Sequence, residues 1–475
     1  MKLSINKRFI PVLVFLLLVA GSCKKSFLDR EPYGSLPKDD AIRNVDDMEI
    51  ALSGAYTGLR APAMFGRTIP LFGDELADNV YISNNNSNRY LDFFQVNFTV
   101  NNGNARGIWQ GAYNTILNCN NIINSSVTGT PEASQFRGEA LAIRALMYFE
   151  LAKFFSRPYT VVGPTALGVP IILTNDPFKK PARNTLGEVY AQIEKDFKAA
   201  IPLLTLDRST AYINDWAAKA LLARMYQFKG DWTNALTTAQ DVINNSGYTL
   251  LGLSTFNNYW RSNTVRNDGL ETLFEVANDL VGNGGIDALA YFYDQAGYGD
   301  ALAANAFYNL YAATDLRKGL ILVGSPTRGP NARVVNKYPN STQPDKDEVK
   351  IIRLSEVYLI AAEAAFNLNN EPVARQYLNA VATRRDPNNP LGYSSIGAQL
   401  FSDILLERRK ELAFEGHRYW DLARNNMNVT RVNTAGNYTG VPLTIATTSF
   451  RRILPIPQAE LDANPAIRDQ QNPGY

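Results

Sequence analysis

Residues Glu407–Arg424 read ERRKELAFEGHRYWDLAR. Opposite charges recur three residues apart, in the pairs Glu407/Lys410, Arg408/Glu411, Glu415/Arg418 and Asp421/Arg424. On a helix that spacing sets them on neighbouring turns. Leu405, Leu412, Ala413, Phe414, Trp420 and Leu422 supply apolar surface for burial. Gly416 interrupts the run and predicts a bend or the close approach of another backbone. The charges read as structural, because none of them forms a constellation suited to bond making.

Upstream of this block the chain is a series of helix pairs. Residues 214–244 give a helix, a tight turn at Gly230-Asp231 and a second helix. Residues 353–383 repeat the pattern, with Ala374 in the place of Ala235, and Ala361, Ala362 and Val381 in the places of Leu222, Ala223 and Val242. Small residues at packing positions let helices approach closely, as in tetratricopeptide pairs, and such pairs need neighbours to bury their faces. Further helical stretches are read at 39–60, 109–123, 132–155 and 184–204, the first with Asp39 and Asp40 near its start. The fold class is therefore mostly α: a tetratricopeptide-like scaffold in a single domain, 39–475, interrupted by long loop-rich insertions. The largest insertion runs from about 248 to 347, where glycines punctuate a weaker periodicity. Helix is expected to return at Asn305–Leu316.

Composition narrows the function. Of 475 residues, 45% are hydrophobic and 19% charged, which is globular and ample for a large core. The formal charge of +2 becomes −1 once Lys2, Lys7 and Arg8 are removed with a leader, so nucleic acid has no electrostatic claim. Two cysteines, Cys23 and Cys119, build no disulfide framework, and Cys119 reads as a small core residue inside a helix. With a single histidine, His417, neither a zinc site nor a Cys-His nucleophile is expected. No cofactor, metal site or catalytic residue is assigned.

That leader is residues 1–22. A basic start precedes an apolar run of 12 residues, Phe9 to Ala20, too short to span a bilayer but right for a signal peptide. Ala20-Gly21-Ser22-Cys23 then resembles a bacterial lipobox, with Ala20 where leucine is more usual. Acylation of Cys23 would anchor the chain to a membrane without a transmembrane helix. Lys24, Lys25, Pro32, Gly34 and Pro37 make 23–38 a tether.

Several blocks together resemble one family. Residues 407–424 are similar to the ERR-x-ELAFEG-x-R-x-x-DL-x-R block of SusD/RagB proteins. So are GEALAIRALMYFELAKFF (138–155), LGVPIIL (167–173), Asp315-Leu316-Arg317, the start CKKSFLDREP (23–32) and the ending RILPIPQAELDANPAIRDQQNPGY (452–475). The resemblance implies a surface-exposed, outer-membrane lipoprotein of Bacteroidota that binds a nutrient and works beside a SusC-like TonB-dependent transporter. It implies an oligosaccharide or polysaccharide ligand, with peptide, as in the RagB branch, as the alternative. It marks no ligand residue.

Those are read from chemistry. Sugar rings present C–H faces to aromatic rings, and their hydroxyls pair with amides, carboxylates and guanidinium groups. Two stretches have that makeup, 78–94 with its run Asn84–Asn88, and 259–298. Trp260 is the leading candidate, followed by Tyr81, Tyr90, Asp78, Asn79, Tyr291, Tyr293 and Tyr298, with plain packing the alternative for each. Trp232 and Trp420 are assigned to the core. A glycan-cleaving enzyme would need two facing carboxylates, for which Asp74, Glu75 and Asp78 are the available acids. His417 is read as a surface or half-buried helix residue.

Overall fold

The computed structural model describes residues 42–176, 178–325, 332–432 and 440–475. The leader, Cys23 and the tether lie outside them. The first helix, α1 (Val45–Arg60), starts later than expected: the Asn44 side chain accepts from Asp47 N at 2.9 Å, and Asp46 and Asp47 occupy the first turn. Two short helices follow, α2 (Thr68–Glu75) and α3 (Leu91–Phe94). The scaffold continues through α4 (Gly103–Ile123), α5 (Pro131–Phe155), α6 (Leu186–Ala200), α7 (Asp215–Lys229) and α8 (Trp232–Asn245). Beyond it lie α9 (Phe256–Arg261), α10 (Leu289–Tyr293), α11 (Leu354–Asn367), α12 (Glu371–Ala382), α13 (Gly397–Glu411) and α14 (Arg418–Arg424).

Long helices pack side by side in the sequence α1, α4, α5, α6, α7, α8, α11, and α11 then carries α12 and α13. Ala235, Ala239 and Val242 of α8, and Ala361, Ala362, Ala374 and Val381 of the later pair, are fully buried, as the repeat requires. Gly230 ends α7 at φ 75°, where a side chain would be strained. At the start of α6, Thr185 and Glu188 form a reciprocal capping box.

The insertion holds strands and only short helical pieces, α9 and α10 among them. Strands β1 (Val80–Ile82), β3 (Ala301–Ala303), β5 (Arg333–Val335) and β4 (Ile321–Val323) make one antiparallel sheet in that order. β2 (Thr272–Val276) pairs with β6 (Val349–Arg353), which runs straight into α11. Residues 305–316 form only a single turn, Asn305–Tyr308, with a 3-10 segment, Leu316–Leu320, after it. One buried core runs through scaffold and insertion alike.

The block at 407–424 is two helices rather than one bent helix. α13 stops at Glu411, Phe414 and Gly416 take φ of 65° and 81°, and α14 begins at Arg418. The turn is held by backbone contact: a Cβ on Gly73 would lie 1.9 Å from the Gly416 carbonyl oxygen, and one on Gly416 would lie 2.7 Å from Pro70 Cα.

The charges also pair differently from the local spacing. Only Asp421–Arg424, at 2.7 Å, and the longer Glu407–Lys410 contact, at 3.8 Å, follow it. Glu411 instead accepts from Arg385 at 2.9 and 3.0 Å, Arg353 at 3.1 Å and Arg317 at 3.2 Å. Glu415 binds Arg353 and Lys337, Arg408 binds Asp421, and Arg418 reaches back to Asp78 at 2.8 Å. Burial pushes the Glu411 carboxyl up, but Arg385, Arg353 and Arg317 more than reverse it and hold it well below the usual range. His417 sits beside the same network, 3.8 Å from Glu356, with 15% of its side chain exposed. Burial drives its imidazole down, Glu356 opposes, and it settles at about 4.

Glu411→Gln leaves three buried guanidinium groups facing a neutral amide. Urea denaturation should show a loss of about 3–5 kcal/mol, and a loss under about 1 kcal/mol would mean the cluster behaves as a surface pair. The sole histidine gives a clean second test. Its folded value of about 4 lies below the ordinary 6.5, so its stabilisation is full above pH 6.5 and is lost as pH falls toward 4. The imidazole NMR titration should have its midpoint near pH 4 while the protein stays folded, and a midpoint near 6.5 contradicts the burial described.

Candidate ligand-binding face

Pairing of β1 with β3 decides where a ligand can be met. Ile82 lies opposite Ala301, and Ser83 N donates to the Asp300 carbonyl at 2.8 Å, so the loop after β1 (83–90) and the loop before β3 (294–300) share one edge. The first is tied by its own side chains. Asn86 Nδ2 donates to Ser83 O at 2.6 Å, Asn86 Oδ1 accepts from Asn88 N at 2.8 Å, and Ser87 N donates to the Asp300 carboxylate at 3.0 Å. Asn84, Asn85 and Asn88 remain exposed.

On the second loop, Tyr298 N donates to Tyr291 O at 2.8 Å, and the two rings meet edge to face, 5.0 Å between centroids. Gly297 makes this possible, because a Cβ there would sit 2.3 Å from Tyr291 O. Both tyrosines are half-buried. Arg89 Cζ lies 3.9 Å from the Tyr298 ring centroid, so cation and ring stack at the corner. Arg67 braces it from beneath, bonding the Tyr90 hydroxyl at 2.8 Å and Asp287 at 2.5 Å. Two half-exposed rings, a guanidinium and a fringe of amides can receive a sugar ring and its hydroxyls.

Of the residues picked from sequence, only Tyr291 and Tyr298 come together on a surface. Trp260, the leading candidate, is 4% exposed and lies under Lys337 Nζ, 4.2 Å from its ring centroid, so it is core and no platform. Tyr293 is fully buried and stacked on Tyr338, and Tyr81 and Tyr90 are buried as well. Asn79 is buried between Asp74 and Arg409, and Asp78 is held by Arg409 and Arg418. Tyr81 faces inward because all three residues of β1 are buried. Arg89 was missed; its place between an Asn run and Tyr90 was the signal. Trp420 is buried, and Trp232 packs half-buried against the core, as read.

The acids do not face each other across a cleft. Asp74 is fully buried, accepts from Asn79, Gly416 N and Phe414 N, and is pushed up to about 6 chiefly by burial. Glu75 is fully buried with neither carboxyl oxygen hydrogen-bonded, and burial, with the charges of Asp92 and Asp300, drives it well above the carboxylate range. Burial raises Asp78 too, but Arg409 and Arg418 outweigh it and leave it below its usual value. His417 bonds none of the three. Cys119 is buried, its thiol pushed up to about 12 by burial. Among the described residues no group of three His, Cys, Asp or Glu is placed to hold a metal ion, and no helix is long and apolar enough to cross a membrane.

Comparison with known proteins agrees with this architecture. Residues 322–475 match the model of the SusD family, and residues 26–227 match a family described as starch-binding associating with outer membrane. A SusD-like protein of Bacteroides ovatus is 26% identical over 89% of this chain and 83% of its own. Surface glycan-binding protein A of Bacteroides thetaiotaomicron, solved with laminarihexaose, covers 90% of this chain and 100% of its own with a TM-score of 0.69, and at 18% identity the likeness is one of fold. A SusD superfamily protein of Bacteroides thetaiotaomicron is 31% identical with a TM-score of 0.81, over 91% of this chain and 100% of that one. With both halves matched and a relative of that identity spanning the scaffold, the chain belongs to the SusD/RagB family.

Proposed function

We propose that this protein captures a glycan at the corner formed by Tyr291, Tyr298 and Arg89. The observation that carries the reading is that corner: two aromatic rings left half-exposed, with a stacked cation and exposed asparagines beside them. The starch-binding description of the matched N-terminal region supports the ligand class. The captured chain is handed to a SusC-like TonB-dependent transporter, and Cys23, acylated, tethers the protein to the outer membrane. The protein binds without cleaving: of the acids a cleavage reading would use, Asp74 and Glu75 are fully buried and Asp78 is paired with Arg409 and Arg418.

Native affinity electrophoresis of the chain without Cys23, through gels containing starch, laminarin and other neutral glycans, tests this. One glycan should retard the protein without being degraded. Tyr298→Ala should weaken that retention about three- to tenfold with an unchanged melting temperature. Trp260→Ala should do the reverse, costing about 3–5 kcal/mol of stability while the folded fraction binds normally. No retardation by any glycan sinks the reading and favours a peptide ligand. Cys23→Ser should abolish labelling by radioactive palmitate, and labelling that persists places the anchor elsewhere.

A further inference from the structure

A concavity of about 860 Å³ opens at the other end of α3 from the tyrosine corner. Its walls are residues 95–97, just after α3, and parts of 440–451. That volume is in the range of ligand sites. Both walls are fixed by arginine. β7 (Val429–Thr430) pairs with β8 (Thr444–Ile445), and Arg431 just after β7 donates to the carbonyls of Phe94 at 2.7 Å, Ala77 at 3.0 Å and Glu75 at 2.7 Å. On the facing side, Arg451 Nη1 donates to Val96 O at 2.8 Å. Val96 itself takes φ 55°, a left-handed conformation costly for a β-branched residue. The groove is thus held open by structure that pays in strain.

Its lining has the chemistry of sugar recognition. Phe450 is 38% exposed, and Gln95, Asn97, Thr444 and Ser449 bring amides and hydroxyls to the lining. Arg451 carries the only formal charge among the described lining residues. Its one described hydrogen bond is to the Val96 carbonyl, and its Cζ lies 5.3 Å from the Phe450 ring centroid, so charge and ring stand together at the groove. A guanidinium with unspent donors matches carboxylate or sulfate oxygens. We infer that this groove is a second glycan subsite, selective for a sugar carrying an acidic group, either a uronate carboxylate or a sulfate ester. It rests on the glycan-binding reading for the polymer class, but shares no residue with the tyrosine corner.

The test runs the same gels with polygalacturonate, dextran sulfate and neutral starch, on the wild type, Arg451→Gln, Asn97→Ala and Tyr298→Ala. The wild type should be retarded by one of the anionic polymers, and which one distinguishes carboxylate from sulfate. Arg451→Gln should weaken that retention about tenfold and leave any retention by starch unchanged. Asn97 is exposed and no hydrogen bond of its side chain is among those described, so Asn97→Ala should also weaken anionic retention while folding as the wild type. Retention by neither anionic polymer, or equal retention of wild type, Arg451→Gln and Asn97→Ala, overturns the groove. Anionic retention lost in Tyr298→Ala but kept in Arg451→Gln assigns the acid to the tyrosine corner, overturning the groove and sparing the glycan reading. Dependence on Arg451 with no effect of Tyr298→Ala on any glycan spares the groove and overturns the tyrosine corner.

Discussion

Glu411 is the point at which three parts of the chain meet. Arg317 comes from the insertion, Arg353 from the strand that leads back into the scaffold, and Arg385 from just after α12. A carboxylate taken out of water costs several kcal/mol, and Coulomb attraction offsets that only when its lone pairs are matched by well-placed donors. Three guanidinium groups supply them here. Each is itself buried, so each depends on the carboxylates of Glu271, Glu407, Glu411 and Glu415 in turn. Displacing the insertion would take Arg317 from Glu407 and Glu411 and leave buried charge uncompensated.

The same block fixes the binding face from a second direction. Close approach of Gly73 to Gly416 sets α2 directly against the turn between α13 and α14, and Asp74 closes the contact by accepting from Gly416 N at 3.0 Å. Arg409 and Arg418 then hold Asp78 immediately before β1. With β1 so placed, pairing to β3 brings the asparagine loop to Tyr291 and Tyr298. Recognition sits on loops, but each loop leaves a strand whose position is set in the core.

Helix existence was legible because periodicity is local. Ala235 and Ala374 needed only their own neighbours to be assigned inward. Partners of the charges were not legible: Glu411 has Arg408 three residues before it, yet binds arginines 26, 58 and 94 positions away. Helix spacing offers a partner, and burial replaces it with one whose desolvation can be shared. The aromatics failed for a related reason. Tyr291 and Tyr293 stand two residues apart on the five-residue α10, and only packing on Tyr338 and Phe414 decides that the second is buried and the first is not. Composition places aromatics near a surface without saying which ones reach it, and Trp260 was the most conspicuous of those that do not.

Ion pairing also explains where cations remain for ligands. The arginines of 407–424 are committed to the core or to Asp78, and so can recognise nothing outside. Arg89, on the loop before α3, and Arg451, in the 3-10 turn Phe450–Arg452 against the far end of α3, make no ion pair among the described residues, one resting on a tyrosine ring and the other on a backbone carbonyl. Between them, Arg431 ties the C-terminal ribbon to the backbone carbonyl of Glu75, whose own carboxyl is buried and unbonded. An unsatisfied acid and a left-handed valine are costs that a scaffold serving only its own stability would have no reason to keep. Both lie around the helix that separates these two half-buried cations, so the strain falls where the surface is shaped and the stability is supplied by the arginine network behind it.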